Sequence, residues 1–307
     1  MPATSLALLL IAAVLHAVAN ALIKQARDKL AFTWWMLGVS SVLGLPIWLL
    51  IGNAEPVGWL IVTISGLVEA IYFTALARAY SHGDLSQVYP IARGSAPLFI
   101  ALWATVFLGE RPSVIGLLGV FSIVAGLYLI NLPSLADWKR PLLGFRGPAV
   151  RWALLTGVLI SIYSAVDKVG VRYFVPLTYL YLILFVGWIA LAPQWLIADR
   201  RAALIAELKP DAGTLSTPVW ASDRTRSIGA HRVVSIVACG LFGVAAYMLV
   251  LTALRLSPVS YVGPVREVSV VIGAWIGVRF MAEQGGALRV IASALVALGI
   301  AIIAIGG

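Results

Sequence analysis

The chain has 307 residues, of which 61% are hydrophobic and only 11% are charged. A soluble globular domain carries about 25% charged residues, so this composition excludes an ordinary soluble protein and predicts a protein of the lipid bilayer. The net charge is +9, but the basic residues gather between the apolar segments. That distribution indicates membrane topology and anionic headgroups rather than a nucleic-acid partner. The single cysteine, Cys239, excludes a disulfide within the chain.

Apolar segments long enough to cross a bilayer follow one another along the whole sequence. One helical crossing needs about 20 predominantly apolar residues. Ten such segments are predicted, at residues 4–23, 31–51, 57–79, 84–108, 113–131, 151–171, 175–197, 233–254, 258–281 and 286–305. The expected fold class is therefore an all-α membrane protein with ten transmembrane helices.

One phrase occurs twice, in the fourth and in the ninth of these segments. Residues 85–93 read L-S-Q-V-Y-P-I-A-R, and residues 259–267 read V-S-Y-V-G-P-V-R-E. Further matched pairs are His16 with Tyr163, Asn20 with Asp167, Tyr72 with Tyr247, and Pro90 with Pro264. Each half holds five helices, an odd number, so the second half must enter the membrane in the opposite direction. The sequence therefore predicts two inverted five-helix repeats, which are typical of secondary transporters.

The repeats divide the chain into a first half, residues 1–131, a linker at 132–150, and a second half, residues 151–307. The second half includes a polar loop at 199–232, whose first residues are able to form a short interfacial helix. Sixteen Lys and Arg residues fall on the side of the odd-numbered loops and four on the other side. The positive-inside rule then predicts cytoplasmic odd-numbered loops and both termini outside the cytoplasm.

Three charged residues stand at matching depths in the fourth and ninth segments. A charge near the centre of a bilayer costs a few kcal/mol or more, so it is rarely accidental there. Arg93 offers a planar fork to an acidic group of a solute, and its alternative role is a structural ion pair. Arg266 and Glu267 are adjacent and point about 100° apart on a helix. One of them can face a cavity while the other contacts a neighbouring helix.

Three further residues are candidates for proton coupling. Glu69 lies near the middle of the third segment, where it can exchange a proton or remain a fixed partner of an arginine. His16 can titrate near neutral pH or form an interhelical hydrogen bond. Asp167 stands near the predicted end of the sixth helix, so a solvated charge at the helix end is its alternative.

Aromatic, amide and proline residues complete the candidate site. The residues predicted to line a polar cavity are Asn20, Tyr72, Tyr89, Tyr163 and Tyr247, and the alternative for the tyrosines is packing. Pro90 and Pro264 are predicted to interrupt the fourth and ninth helices and to act as hinges, or to form static kinks. No cluster of Cys and His occurs, so neither a metal nor a cofactor is expected.

Four phrases carry a resemblance that covers nearly the whole chain. They are H-A-V-A-N-A-L-I-K at 16–24, A-R-A-Y-S-H-G-D-L-S-Q-V-Y-P-I-A-R-G at 77–94, F-L-G-E-R-P at 107–112 and S-P-V-S-Y-V-G-P-V-R-E-V-S at 257–269. With the repeat, they resemble the drug/metabolite transporter superfamily, in its EamA family. The resemblance implies a ten-helix carrier of small metabolites, often an exporter of amino acids or related compounds. It also implies a central cavity lined by helices one, three and four of each half. Members are commonly drawn with both termini in the cytoplasm, opposite to the charge bias.

The sequence thus predicts a secondary transporter and not an enzyme. It is expected to move a small polar or charged metabolite, amino-acid-like or another organic anion or zwitterion, by alternating access, in the export direction and with proton coupling. The alternatives are a flippase for lipids or polyprenyl carriers and a membrane enzyme acting on a lipid-borne substrate. No nucleophile–base constellation supports the enzyme. The expected location is a bacterial-type inner cell membrane, crossed several times, with the lipid bilayer and a small-molecule substrate as partners, as a monomer or homodimer.

Overall fold

The computed structural model describes residues 1–24, 26–50, 55–82, 85–130, 132, 134–139, 147–209, 228–272, 275 and 287–306. Its α-helices are α1 (Ala3–Lys24), α2 (Lys29–Leu43), α3 (Pro56–His82), α4 (Leu85–Phe107), α5 (Val114–Leu129), α6 (Pro148–Gly170), α7 (Pro176–Leu191), α8 (Ala198–Leu208), α9 (Ile228–Leu256), α10 (Val259–Arg266) and α11 (Ala287–Gly306). Short 3₁₀ helices cover Leu45–Leu50, Leu135–Asp137 and Ala192–Leu196. Every regular element of these described residues is helical, which confirms the all-α prediction.

Six helices of the described residues are long and apolar enough to cross a membrane. These spans are Ala3–Ile23, Pro56–Ala79, Pro148–Gly170, Pro176–Leu196, Arg232–Leu256 and Leu288–Gly306. Shorter apolar stretches occur in α4, at Ile91–Phe107, and in α5, at Val114–Leu129. The protein is therefore a multi-pass α-helical membrane protein.

The two copies of the repeated phrase form different helices. In the second copy α10 ends at Arg266, the chain turns at Glu267, and residues 268–272 are helical again. Pro264 lies two residues before the end of α10. In the first copy α4 is helical from Leu85 through Pro90 to Phe107, so the two copies differ at this proline. A proline removes one backbone bond, and that loss alone did not end a helix of 23 residues.

Residues at the ends of the helices explain where several of them begin. The Asp28 side chain accepts a hydrogen bond from the backbone N–H of Ala31 at 2.8 Å and so caps α2. The Ser113 hydroxyl oxygen accepts from the N–H of Gly116 at 2.9 Å and caps α5. The helices α3, α6 and α7 each begin with a proline, whose missing N–H has no partner in a first turn anyway.

Helices with corresponding positions in the two halves pack antiparallel. In the pair α4–α10, Arg93 contacts Glu267 while Ile100, further along α4, lies against Gly263, which is earlier in α10. In the pair α5–α11, residues further along α5 likewise contact residues earlier in α11: Ser113 contacts Gly306, Gly119 contacts Gly299 and Gly126 contacts Ala292. The helices α4 and α5 thus run antiparallel to α10 and α11, respectively.

Two further helix pairs join the halves around the centre. The α3 helix packs antiparallel on α6, with Ser65 bonded to Asp167 and the Tyr72 ring against the Tyr163 ring. The α1 helix packs on α9, and the Ser5 hydroxyl near its start accepts from the Ser257 hydroxyl at 2.8 Å. Polar side chains of α1 and α3 thereby contact polar side chains of the second part of the chain.

The helix α8 occupies the start of the predicted polar loop 199–232, and α9 begins at Ile228, before the predicted end of that loop. Residues 210–227 lie outside the described residues. Arg200 of α8 donates to both carboxylate oxygens of Asp28, at 2.6 and 2.9 Å. Glu207 accepts from the backbone N–H of Asp28 at 3.0 Å and from Arg232 at 2.6 Å. These contacts join the first and seventh loops, which the alternation of helices predicts on the same side.

Candidate functional site

The ion pair Arg93–Glu267 lies where the two copies of the repeated phrase meet. The Nη1 of Arg93 donates to the two carboxylate oxygens of Glu267 at 3.1 and 3.3 Å. Glu267 is 0% exposed, and Arg93 is also buried. Removing two charges from water is expensive, so a buried ion pair is weak evidence for stability alone. Its position between α4 and α10 makes it a link between the two halves.

Arg266 lies beside this pair, and its polar contacts with the described residues are long. Its Nε is 3.4 Å from Oε1 of Glu267, and its Nη2 donates to the Ser164 hydroxyl at 3.4 Å. Its guanidinium carbon stands 5.7 Å from the centre of the Tyr163 ring, within range of a cation–π interaction. Arg266 is only 6% exposed, and among the described residues no acceptor satisfies its Nε. Charge-assisted hydrogen bonds are normally about 2.7–2.9 Å long, so this guanidinium retains donor capacity.

Asp167 is fully buried and accepts hydrogen bonds from three other helices. Ser65 of α3 donates to its Oδ1 at 2.5 Å, and Tyr179 of α7 donates to the same oxygen at 2.8 Å. Tyr247 of α9 donates to Oδ2. The interpretation of Asp167 as a solvated charge at a helix end is therefore wrong, because the surrounding helices cover the end of α6.

Glu69 and His16 occupy the edges of this group of charges. Glu69 follows Ser65 by one turn of α3, is 8% exposed, and lies within electrostatic range of Asp167 and Arg266. His16 of α1 lies within electrostatic range of Arg93 and Arg266. Both proton-coupling candidates of the first half are thus close to the arginines of the site.

Three of the four predicted tyrosines form a row beside the charges. The ring centres of Tyr72 and Tyr163 are 5.7 Å apart, and those of Tyr163 and Tyr247 are 6.4 Å apart, both in edge-to-face geometry. Asn20 is partly buried on α1, and the structure shows no hydrogen bond from it to this group. The side chains of Tyr89 and Pro90 lie outside the described residues.

Sequence reasoning missed Ser65, Ser164 and Tyr179. Ser65 stands four residues before Glu69, so the spacing of polar residues on one helical face would have indicated it. Ser164 likewise follows Tyr163 directly. No comparable signal exists for Tyr179, because its role depends on the tertiary contact of its side chain with Asp167 and Gly170 at the end of α6.

Glu110, in the F-L-G-E-R-P phrase, fixes the beginning of α10. Its carboxylate accepts from the N–H groups of Val259 and Ser260, at 2.8 and 3.0 Å, and from the Ser260 hydroxyl at 2.6 Å. A carboxylate at a helix N-terminus satisfies unpaired donors and complements the helix dipole. On the other side of the same junction, Lys168 donates to the carbonyl oxygens of Leu254 and Ser257 at 2.5 and 2.8 Å. The connection from α9 to α10 is therefore held from both halves.

Charged side chains that are buried between the two parts of a helical membrane protein are typical of membrane transporters. Residues 3–132 and, separately, residues 147–305 match the model of the EamA-like transporter family, which confirms the resemblance in the sequence. The chain belongs to this family.

Two individual proteins show the extent of the likeness. A relative from Sinorhizobium sp, described as "Uncharacterized transporter in cobO 3'region", is 35% identical over 72 residues, which are 24% of this chain and 50% of the relative. The chain thus spans about half the length of that relative. One solved crystal structure is similar over 98% of this chain and 96% of its own, with a TM-score of 0.69 and 17% identity. At that identity the likeness is one of fold.

Proposed function

We propose that the protein is a secondary carrier that moves a small polar or charged metabolite through the membrane by alternating access. The observation that carries the proposal is the buried Arg93–Glu267 pair between the halves, with Arg266, Glu69 and Asp167 around it. Secondary transporters bind their solutes near the middle of the bilayer, at the interface of their repeats. The proposed location is a bacterial-type inner cell membrane, with the odd-numbered loops in the cytoplasm.

The moving parts in this proposal are two inverted repeats of five helices each. Support comes from the family model, which matches the chain twice, and from the antiparallel packing of α4 on α10 and of α5 on α11. An inverted pair of halves requires that antiparallel relation between corresponding helices. The break after Arg266 would allow α10 to move as a short unit, with Pro264 as its hinge.

The proposed solute carries an acidic group and has an amino-acid-like or related organic structure. Arg266 is the favoured anchor for the acidic group, because its contacts with the described residues are long and none of these residues accepts a hydrogen bond from its Nε. Arg93 is already engaged with Glu267 and contributes positive charge from the opposite half. A basic group of a zwitterion would find the carboxylate of Glu267 and the ring of Tyr163 on the same side.

Export and proton coupling complete the proposal. Export is implied by the family resemblance. Proton coupling is assigned to the group of Glu69, Asp167 and His16, since a carboxyl or imidazole group in the membrane can exchange a proton during the cycle.

A transport assay on the purified protein in proteoliposomes tests the proposal. Mixed amino acids and organic acids are offered with an imposed pH gradient, and their accumulation is measured by mass spectrometry. We expect one class of small solute to accumulate, and Arg266→Lys and Arg93→Lys to lose most of that activity because lysine lacks the planar fork. Arg201→Lys on the exposed side of α8 is the matched control and should transport normally.

The same vesicles separate the carrier from the flippase. Dithionite quenching of fluorescent lipids reports lipid movement between the leaflets. Accelerated lipid movement without accumulation of any soluble solute would overturn the carrier proposal in favour of the flippase.

A further inference from the structure

We infer that Glu69 is the residue that binds and releases the coupled proton, and that Asp167 beside it remains an anion fixed by three hydroxyl groups. This inference rests on the proposed carrier function and decides between two of the proton-coupling candidates named in the sequence analysis. It depends on the different surroundings of two carboxyl groups that lie in the same buried cluster.

The hydrogen bonds around Asp167 fit its charged form. The hydroxyls of Ser65 and Tyr179 converge on Oδ1, and that of Tyr247 on Oδ2. An ionised carboxylate only accepts hydrogen bonds, whereas a protonated one must also donate. If Asp167 carried a proton, either that proton would lack an acceptor or one of the three hydroxyls would have to accept it and give up its own bond to the carboxyl. Three donors from three helices thus favour the anion and hold it in place.

The surroundings of Glu69 fit a carboxyl group that changes its charge. Its carboxyl receives no hydrogen bond from any described residue, and Glu69 is only 8% exposed. Burying an ionised carboxylate without hydrogen-bond donors carries a large desolvation cost, and repulsion from the negative charge of Asp167 raises that cost. Opposing these effects is the positive charge of Arg266. The titratable and charged groups within electrostatic range of Glu69 are Tyr72 on α3, Tyr163 and Asp167 on α6, Tyr179 on α7, Tyr247 on α9 and Arg266 on α10.

The charge balance of the cluster links this proton to the solute. With Glu69 ionised, the three carboxylates Glu69, Asp167 and Glu267 oppose the two guanidinium groups of Arg93 and Arg266. A proton from water that binds to Glu69 neutralises the excess negative charge. It also removes one of the anions that attract Arg266, the loosely held arginine, which is then available for the acidic group of a solute. Proton binding at Glu69 would therefore precede solute binding.

Modification by dicyclohexylcarbodiimide tests the assignment without knowledge of the solute. This apolar reagent reaches carboxyl groups in membranes and reacts with their protonated form, and peptide mass spectrometry identifies the modified residue. In the full-length protein in proteoliposomes at neutral pH, we expect modification of Glu69 and not of Asp167, decreasing as the pH is raised. Tyr247→Phe removes one donor from Asp167 and should make Asp167 reactive as well. Glu69→Gln should abolish the modification at residue 69, with unchanged melting temperature as evidence of folding.

Each result decides the question. Modification of Asp167, alone or together with Glu69, or of neither residue, would overturn the inference even if solute transport is found in the same vesicles. Modification of Glu69 in a protein that moves no solute would support Glu69 as the protonated residue and would refute the proposed carrier function. If both proposals hold, Glu69→Gln should still equilibrate the solute but no longer accumulate it with a pH gradient.

Discussion

The two family segments meet at a centre and at a periphery that differ in chemistry. At the periphery, α5 and α11 approach so closely that a Cβ on Gly119 would lie 2.7 Å from the carbonyl oxygen of Gly299. The Ser122 hydroxyl donates to the Leu295 carbonyl at 2.7 Å, and no charge takes part in these contacts. At the centre, α4 and α10 meet through Arg93 and Glu267.

This difference distinguishes contacts that hold the two segments together from charges that a binding site needs. Small residues let two helices pack closely within a membrane without desolvating any charge. Buried charges carry a desolvation penalty that often exceeds their mutual attraction, so well-packed apolar residues in their place would often give equal or greater stability. The periphery thus serves cohesion, and we expect the charges at the centre to be retained for solute and proton binding.

The largest effect is expected at the centre, from Glu267→Ala. It leaves Arg93 and Arg266 buried without their shared carboxylate, and breaking a buried ion pair in this way costs about 3–5 kcal/mol. Chemical unfolding in detergent measures the loss. The double variant Arg93→Met with Glu267→Leu removes both charges and should recover part of it. A loss no greater than that of an exposed substitution would contradict the assignment of this pair as the link between the segments.

The next largest effect is expected at the periphery, from Gly119→Ala. The added methyl group would meet the backbone of α11, and overpacking of this kind typically costs about 1–3 kcal/mol. Gly243→Ala in α9 is the matched control, because nothing lies within 4 Å of its Cβ position. Alanine is a better helix former than glycine, so this control should stabilise the protein by about 0.5–1 kcal/mol. Melting temperatures that change in the same direction for both variants would refute the close packing.

A smaller loss is expected from Glu110→Ala at the junction of α9 and α10. The variant removes the acceptor of two backbone N–H groups and one hydroxyl, and loss of a helix cap costs about 0.5–2 kcal/mol. Glu110→Gln keeps one acceptor oxygen and should lose less. Exposed Glu55→Gln is the control, with a change below about 0.5 kcal/mol in the same unfolding experiment. Equal stability of all three variants would show that Glu110 does not hold α10.

The sequence predicts the centre better than its surroundings. Arg93, Arg266 and Glu267 could be identified because a charge in an apolar segment is conspicuous without any knowledge of the partner helix. The donors of Asp167 could not, since Ser65 and Tyr179 are ordinary residues until α3 packs on α6 and the Tyr179 side chain of α7 reaches the end of α6. Likewise, Pro90 and Pro264 are equivalent in the sequence, but only the second precedes a break, so the end of α10 depends on tertiary contacts.

The smallest effect is expected from Asp28→Asn, in the ion pair with Arg200 near the surface. Burial alone would favour the neutral carboxyl, but the hydrogen bonds from Arg200 and from the Ala31 N–H hold the pKa of Asp28 below its ordinary value of 3.8. Their stabilisation is therefore complete above pH 3.8 and is lost as the pH falls below it, because the unfolded chain then takes up the proton first. The side chains of Arg200 and Asp28 are 27% and 31% exposed, so the contribution should not exceed about 1 kcal/mol. Thermal unfolding of both proteins should differ by that amount at neutral pH and converge in acid. A difference in stability that grows in acid would contradict the ion pair between Arg200 and Asp28. A loss of stability as large as that of Glu267→Ala would contradict the distinction between surface and buried ion pairs.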